Sequence, residues 1–448
     1  MLKKKLIILI ISISFLFSCK KFLDAKPDLA LVTPNKVEDL QRLLDNSDNM
    51  NTAFGTAGES SADNLYLNYI DWSGMNDGGR NMYTWGPEIF FDQFPNEWAQ
   101  YYLVVYYANN VLESLSHIQR TAQNESAWDN VKGSACIYRA MAFSRLVSLF
   151  SPAYNITTSA SDPGIPLRLN SDFNEISVRS SVQQSYDRVI ADLSRALKYL
   201  PVTPQHKMRP SKPAAYALLA KTYLAMGNFD KAGLYADSCL RLYNTLIDFN
   251  TLTAAAAFPL ALFNDEVIWN IVSRLSSPVS KAIVDSSLYR SYSANDCRQQ
   301  VFFKNNNNGT FGFKGNYTGS TMAFSGIAAD EVWLIRAECF ARANNIVDAM
   351  SDLNTVMKKR WKTNLFVPFT AATPQEALNS ILTERRKELL FRDIRFADIK
   401  RLNRQGLDIT ITRKLNGEIF QLPPNDNRYA LPLPQQVIDM TGMPQNPR

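Results

Sequence analysis

The sequence predicts a mainly α protein: a tetratricopeptide-like helix-pair scaffold joined to a loop-rich half that contains short strands. Three observations carry this reading. One spacing of small and aromatic residues occurs twice, as Ala220, Tyr223, Ala232, Ala236, Cys239 and as Ala337, Phe340, Ala349, Leu353, Val356, with steps of 3, 9, 4 and 3 residues. These are the positions of a tetratricopeptide repeat, in which small residues let two antiparallel helices approach closely. Tyr216 and Trp333 stand four residues before the first alanine of each set, where an aromatic fills the gap. Glycine is scarce, 18 of 448 residues, which favours helices. Against this, residues 51–96 and 250–326 lack helical period and are crowded with glycine and aromatic residues.

Taken in order, the chain opens with Lys3, Lys4 and Lys5, an apolar run from Leu6 to Phe17, then Ser18 and Cys19. A basic start, a short apolar core and a small residue at the cut make a secretory signal over 1–18. The run is too short for a bilayer-spanning helix, which needs roughly 20 apolar residues. Leu16-Phe17-Ser18-Cys19 looks like a lipobox, so the mature chain is expected to begin at a lipidated Cys19, with 19–34 as an extended tether and 19–448 as a single domain. Lys36 to Leu44 reads as the first helix, with Val37, Leu40, Leu43 and Leu44 on one face. Glu97–Ile118 and Ala127–Phe150 read as long helices, ended by Pro152 and by Pro163-Gly164. Val182–Leu200 is helical up to Pro201, and Ala214–Leu242 is a helix pair turning at Gly227-Asn228. Asp408–Lys414 alternates, and proline-rich coil follows.

Composition excludes several functions. The formal charge of +6 loses three units with Lys3, Lys4 and Lys5, too little for a nucleic-acid partner. Cys136, Cys239, Cys297 and Cys339 form no close Cys-x-x-Cys pair, so no metal site is expected, and the sequence assigns no disulfide. His117 and His206, the only histidines, belong to no nucleophile or metal motif, and no cofactor is implied.

Over nearly its whole length the chain resembles the SusD/RagB-like family of outer-membrane nutrient-binding lipoproteins. The resemblance rests on Phe22-Leu23-Asp24-Ala25-Lys26-Pro27 after the lipidated cysteine, and on Trp98, Tyr102, Ala108 and Asn109. It continues through Arg139-Ala140, Gly164-Ile165-Pro166-Leu167 and the pattern from Tyr186 to Pro201. Asn295-Asp296-Cys297-Arg298, the charged run from Glu384 to Phe391 with Arg395, Asp398 and Arg401, and the endings Leu431-Pro432-Leu433-Pro434 and Gln445-Asn446-Pro447 complete it. Two features depart from the family pattern. Arg392-Asp393 replaces the usual Glu-Gly, and Lys20-Lys21 follows the lipidated cysteine where acidic residues favour surface export. The resemblance implies a non-catalytic lid, anchored in the outer membrane and facing the cell exterior. Such a lid hands oligosaccharide, or in RagB-like members peptide, to a TonB-dependent SusC-like barrel.

Sugar C–H groups pack on exposed aromatic faces, and planar polar groups bind hydroxyls. On that basis Trp72 is the first candidate ligand contact, followed by Arg80, Tyr83, Tyr292 and Tyr317. Trp85 and Trp98 lie in scaffold-like stretches and are expected to pack. The run around Arg385 alternates acid and base, the pattern of an ion-paired helix. The rival reading is a glycosidase built from two carboxylates among Glu59, Asp63, Asp77 and Glu88, although spacing along the chain says nothing of their separation in space.

Overall fold

The protein is described by a computed structural model in which residues 36–52, 54–90 and 96–448 are placed. The signal peptide, Cys19 and the 19–34 tether lie outside these residues. The described residues hold 18 helices and six two-stranded sheets.

Short helices come first: α1 (Val37–Leu44), α2 (Ser47–Met50), α3 (Ala57–Ser61), α4 (Tyr69–Ser73) and α5 (Asp77–Thr84). The scaffold then runs through α6 (Glu97–Ser116), α7 (Glu125–Phe150), α8 (Val182–Tyr199), α9 (Lys212–Ala225) and α10 (Phe229–Leu240). Between these and the next repeat stand α11 (Ser277–Ser280), α12 (Ser286–Arg290) and α13 (Arg298–Phe302). The chain closes with α14 (Ala329–Arg342), α15 (Ile346–Lys358), α16 (Pro374–Glu388), α17 (Arg395–Arg404) and α18 (Gln435–Thr441).

Each scaffold helix packs on its neighbour in sequence: α6 on α7, α7 on α8, α9 on α10, α14 on α15. Contact of α8 with α9 and of α10 with α14 joins the pairs into one stack, the second join bridging the inserted segment. Both repeats form as the spacing demands. Ala220, Ala232, Ala236, Ala337 and Ala349 are wholly buried, with no side chain beyond Cβ between the helix axes. The two pairs also turn alike. Gly227 and Asn344 take left-handed φ angles of 71° and 62°, and Asn228 and Asn345 then cap the following helices by accepting from Lys231 N and Asp348 N. Helix α8 begins with a capping box in which Ser181 and Gln184 satisfy each other's backbone N–H, and it stops at Leu200-Pro201.

The insertion holds loops and strands of two or three residues, as expected, and also α11, α12 and α13; it packs around a second core shared with Leu65, Leu67, Met75, Tyr83, Leu390 and Leu415. Two elements differ from the sequence reading. Residues 51–96 are not mere loop. Asn68 and Asn76 accept from Asp71 N and Gly79 N and so start α4 and α5. The stretch after Gly406 is a hairpin: β11 (Ile411–Leu415) pairs antiparallel with β12 (Glu418–Leu422). Its turn, Asn416-Gly417, has φ of 48° and 86°, the left-handed pair that a two-residue hairpin turn requires. All four described cysteines are free and buried.

Enlarging Ala220 or Ala337 to Leu drives methyl groups into a helix interface that has no space for them. Each substitution is expected to cost roughly 1–3 kcal/mol, seen as a lower melting midpoint. Wild-type midpoints for both variants would refute the close-packed assignment.

Candidate functional site

Helix α4 lies at the surface of the loop-rich half and presents its side chains outward. Asn68 fixes its start, and the indole Nε1 of Trp72 donates to Arg80 O at 3.3 Å. Trp72 is half-buried. Tyr69 stands 5.8 Å away, centroid to centroid, and Phe420 of β12 stands 6.4 Å away on the same indole. Ile70 and Ile419 flank these rings at 81% and 59% exposure. Tyr69, Trp72 and Phe420 thus form a partly exposed aromatic ridge, with Tyr69 exposed and Trp72 and Phe420 packed against the second core.

Arg80 supports this ridge from below. Its Nη1 donates to Met75 O at 2.6 Å and Ser73 O at 3.2 Å, and its Nη2 pairs with Asp77. The guanidinium therefore staples the turn between α4 and α5. Behind it, Met75 and Tyr83 enter the second core, so the ridge has a rigid base.

Three sequence candidates lie elsewhere, and the structure corrects them. Tyr83 is 1% exposed; its hydroxyl accepts from Leu67 N at 3.0 Å, and the Arg413 guanidinium lies 4.2 Å from its ring. Tyr292 is buried, donates to Lys387 O at 2.7 Å and lies beside Arg298 and Lys387. Tyr317 is buried, donates to Glu266 and Asp330, and is covered by Arg392 at 4.1 Å. Each ring sits on a buried cation, which holds it inside the fold rather than on a ligand-facing surface. Trp85 and Trp98 pack as expected, Trp85 donating to Ser61 O and Trp98 lying edge-on to Phe150.

The sequence also missed parts of the ridge. Tyr69 was one of several aromatics in its stretch, and Phe420 required the hairpin to be recognised.

The four carboxylates of the hydrolase reading occupy different settings. Asp63 is held by Arg395 at 2.7 and 2.9 Å and by Arg386, whose charges pull its pKa well below the usual range against the cost of burial. Asp77 belongs to the Arg80 staple, and Glu88 offers its backbone carbonyl to Asn81. Glu59 is wholly buried. A separate trio, Glu266, Asp330 and Glu388, lies close enough together to ligate a metal. Its oxygens are instead taken by Arg360, Arg392, Arg298 and Tyr317, so the protein's own cations and a hydroxyl fill that geometry.

Comparison with known proteins agrees with the stacked helix-pair architecture. Residues 21–224 match a family profile described as SusD-like, "starch-binding associating with outer membrane", and residues 303–448 match the SusD family profile. The chain belongs to the SusD/RagB-like family. A SusD-like protein P2 of Formosa agariphila is 26% identical over 424 residues, covering 78% of this chain and 79% of that protein. Among solved structures, one from Bacteroides vulgatus aligns with a TM-score of 0.77 at 18% identity, over 93% of this chain and 99% of that one. A SusD superfamily protein of Bacteroides thetaiotaomicron aligns with a TM-score of 0.75 at 21% identity, over 92% and 100%. A SusD-like carbohydrate binding protein of Bacteroides vulgatus reaches 0.68 at 19%, over 91% and 97%.

Beneath the site, Glu59 and Glu97 lie in one buried acid cluster with Asp393. Glu97 accepts from Ala57 N, Glu59 accepts from Asn64, and one oxygen of each glutamate has no partner. Burial, with Asp393 close by, pushes both carboxyls up from 4.5 to about 8. The folded chain therefore keeps protons that the unfolded chain releases above pH 4.5. The resulting stabilisation is complete below that pH and is lost as pH rises toward 8. Glu59→Gln and Glu97→Gln keep the hydrogen-bond acceptors and should each flatten the fall of the urea midpoint across this window. An unchanged slope in both variants would show that these carboxyls titrate normally.

Proposed function

We propose that this chain is a lipid-anchored carbohydrate-capture protein of the outer membrane, a non-catalytic lid that passes oligosaccharide to a SusC-like TonB-dependent barrel. The observation that carries the reading is the partly exposed ridge of Tyr69, Trp72 and Phe420 on a stapled base. Tyr69, Ile70 and Ile419 are exposed, and an apolar patch of this kind gains by being covered. Tyr69 and Phe420, tilted 39° and 47° to the Trp72 indole, offer faces for sugar C–H groups, while Asn68 and Asp71 supply planar polar groups at the edge. Family membership supports the location, and no helix among the described residues is long and apolar enough to cross a membrane. The anchor is then the acyl chains on Cys19, which bind firmly when more than one is attached.

Trp72→Ala should weaken oligosaccharide binding by about tenfold, since a stacking ring contributes on the order of 1–1.5 kcal/mol. Its co-purification with the barrel should be unchanged, and it should stay folded with a modestly lower melting midpoint, because the half-buried indole packs on the second core and donates to Arg80 O. Calorimetric titration over a glycan panel measures the first effect, and unaltered affinity would remove Trp72 from the site. A peptide-only binding profile would favour the RagB-like alternative.

Cys19→Ala should leave the protein unacylated and release it from the membrane fraction. Metabolic labelling with an alkynyl fatty acid reads this directly; equal labelling of mutant and wild type would sink the anchor assignment.

A further inference from the structure

A cavity of about 380 Å³ opens in the loop-rich half, lined by none of the ridge rings. The two are linked through α11. Gly79 of α5 lies so close to α11 that a Cβ there would stand 3.3 Å from Ser277 Cβ, and Val279 and Ser280 of the same turn line the cavity. One wall is aromatic: Phe313 of β8 (Phe311–Phe313) stacks on Phe391 at 4.7 Å and 12°, and Phe258 stands at the mouth with 39% exposure.

The polar lining is unusual in sign and in satisfaction. Lys304 and Lys314 both line the cavity, and no acidic side chain does. Lys314 is pinned by donating to Ala254 O at 2.6 Å and Ala256 O at 3.1 Å. Lys304, on β7 (Phe303–Asn305), pairs across the hairpin with Gly312, and the missing Cβ lets its stem lie over that position. Its ammonium group has no ionic or hydrogen-bonding partner among the described residues. Asn316 is 92% buried, lines the cavity, and its amide likewise has no side-chain hydrogen bond there. That amide opens into the cavity and is free to bond a ligand hydroxyl or oxyanion. The larger recesses of about 670 and 800 Å³ lie on the scaffold, and in the first of them Arg342 and Arg401 are already spent on Glu338.

We propose that this cavity is a subsite for an anionic substituent of the captured saccharide, a uronate carboxylate or a sulfate ester. Lys304 is its charge partner, Asn316 binds the adjoining oxygen, and the Phe313–Phe391 wall takes the ring. The assignment rests on the carbohydrate-capture reading and narrows it to acidic glycans. Neutral sugars would leave the ammonium unpaired and gain only the apolar contact.

The test titrates the full mature chain with three probes: an alginate tetrasaccharide, a κ-carrageenan tetrasaccharide and neutral maltotetraose. An anionic probe should bind most tightly and should weaken as salt is raised. Whether alginate or carrageenan binds better separates carboxylate from sulfate. Lys304→Gln, an exposed change, should cost that probe about tenfold and leave maltotetraose unaffected. Asn316→Ala should lower affinity for the same probe, with its melting midpoint checked alongside. Equal affinity of wild type and Lys304→Gln for both anionic probes would overturn the subsite. So would maltotetraose binding as tightly as either of them. If neutral glycan binds through Trp72 while both anionic probes fail, the subsite falls and the capture reading stands. If no saccharide binds at all, both fall.

Discussion

Between the helix pairs and the loop-rich half runs a continuous band of buried charge. Arg298 of α13 pairs with Asp296 at 2.7 Å and with Glu388 of α16 at 3.0 Å, and also with Glu384. Arg360, at the end of α15, joins Glu388 to Glu266 at 2.7 Å each. Arg392 holds Asp330 of α14 at 2.7 Å, and Tyr317 bridges Asp330 and Glu266. With Lys387, four cations meet five carboxylates. Burial raises the Glu266 carboxyl to about 7, the direction that an excess of acid in a dry site requires. Such a band adds little net stability over an apolar one, yet removing one partner costs on the order of 3–5 kcal/mol. Its effect here is registry. Asp296, Glu266 and Tyr317 come from the insertion, and Glu388, Arg360 and Asp330 from the scaffold, so the halves dock in one way.

That constraint explains which aromatics could be placed from sequence. The scaffold was legible because its rule is local: a small residue every three, four or nine positions has one packing solution. Tyr292 and Tyr317 obey no local rule. Their burial follows from Arg298 and Arg392, the latter 75 residues along from Tyr317, whose guanidinium groups cover the rings. The alternating charges around Arg385 were readable as ion pairs, and the structure contains them, with Arg385 on Asp398 at 2.8 Å. Glu384, Arg385, Lys387 and Glu388 are all buried, a depth that alternation along the chain does not announce. Pattern gave the pairing but not its depth, because the partners lie on other elements.

The departure at Arg392-Asp393 has a structural reason. Helix α16 ends at Glu388 rather than continuing, and Phe391 and Asp393 take left-handed φ angles of 58° and 56°. A glycine is the easy occupant of such a backbone, and Asp pays a modest penalty there. The carboxylate offsets it by accepting from Glu59 N at 2.8 Å, close against Gly58, where a Cβ would stand 2.6 Å from its oxygen. The change beside it is coupled to the band. A glutamate in place of Arg392 would set a like charge against Asp330, whose own partner is this guanidinium.

A surface that binds flat, repeating ligands must hold its rings still before the ligand arrives, since ordering them during binding subtracts from affinity. Here the stillness is built from short pieces. Asparagine caps begin α4 and α5, Arg80 ties the turn between them, and the Asn416-Gly417 hairpin brings Phe420 onto Trp72. Behind the hairpin, Arg413 donates to Leu65 O, Ser60 O and Tyr83 O, fastening β11 to the segment that carries the ridge. Arg413 has no carboxylate partner there. Carbonyls and the Tyr83 and Trp85 rings surround its charge, Asp63 and Asp285 act on it from farther off, and burial lowers its pKa despite them. An apolar residue could fill that space without tying β11 to the 60–65 stretch and to Tyr83; a guanidinium with five donors does both. The ring first expected to meet a ligand at Tyr83 thus serves one layer below, as part of the clamp that fixes Trp72 and Phe420 in place.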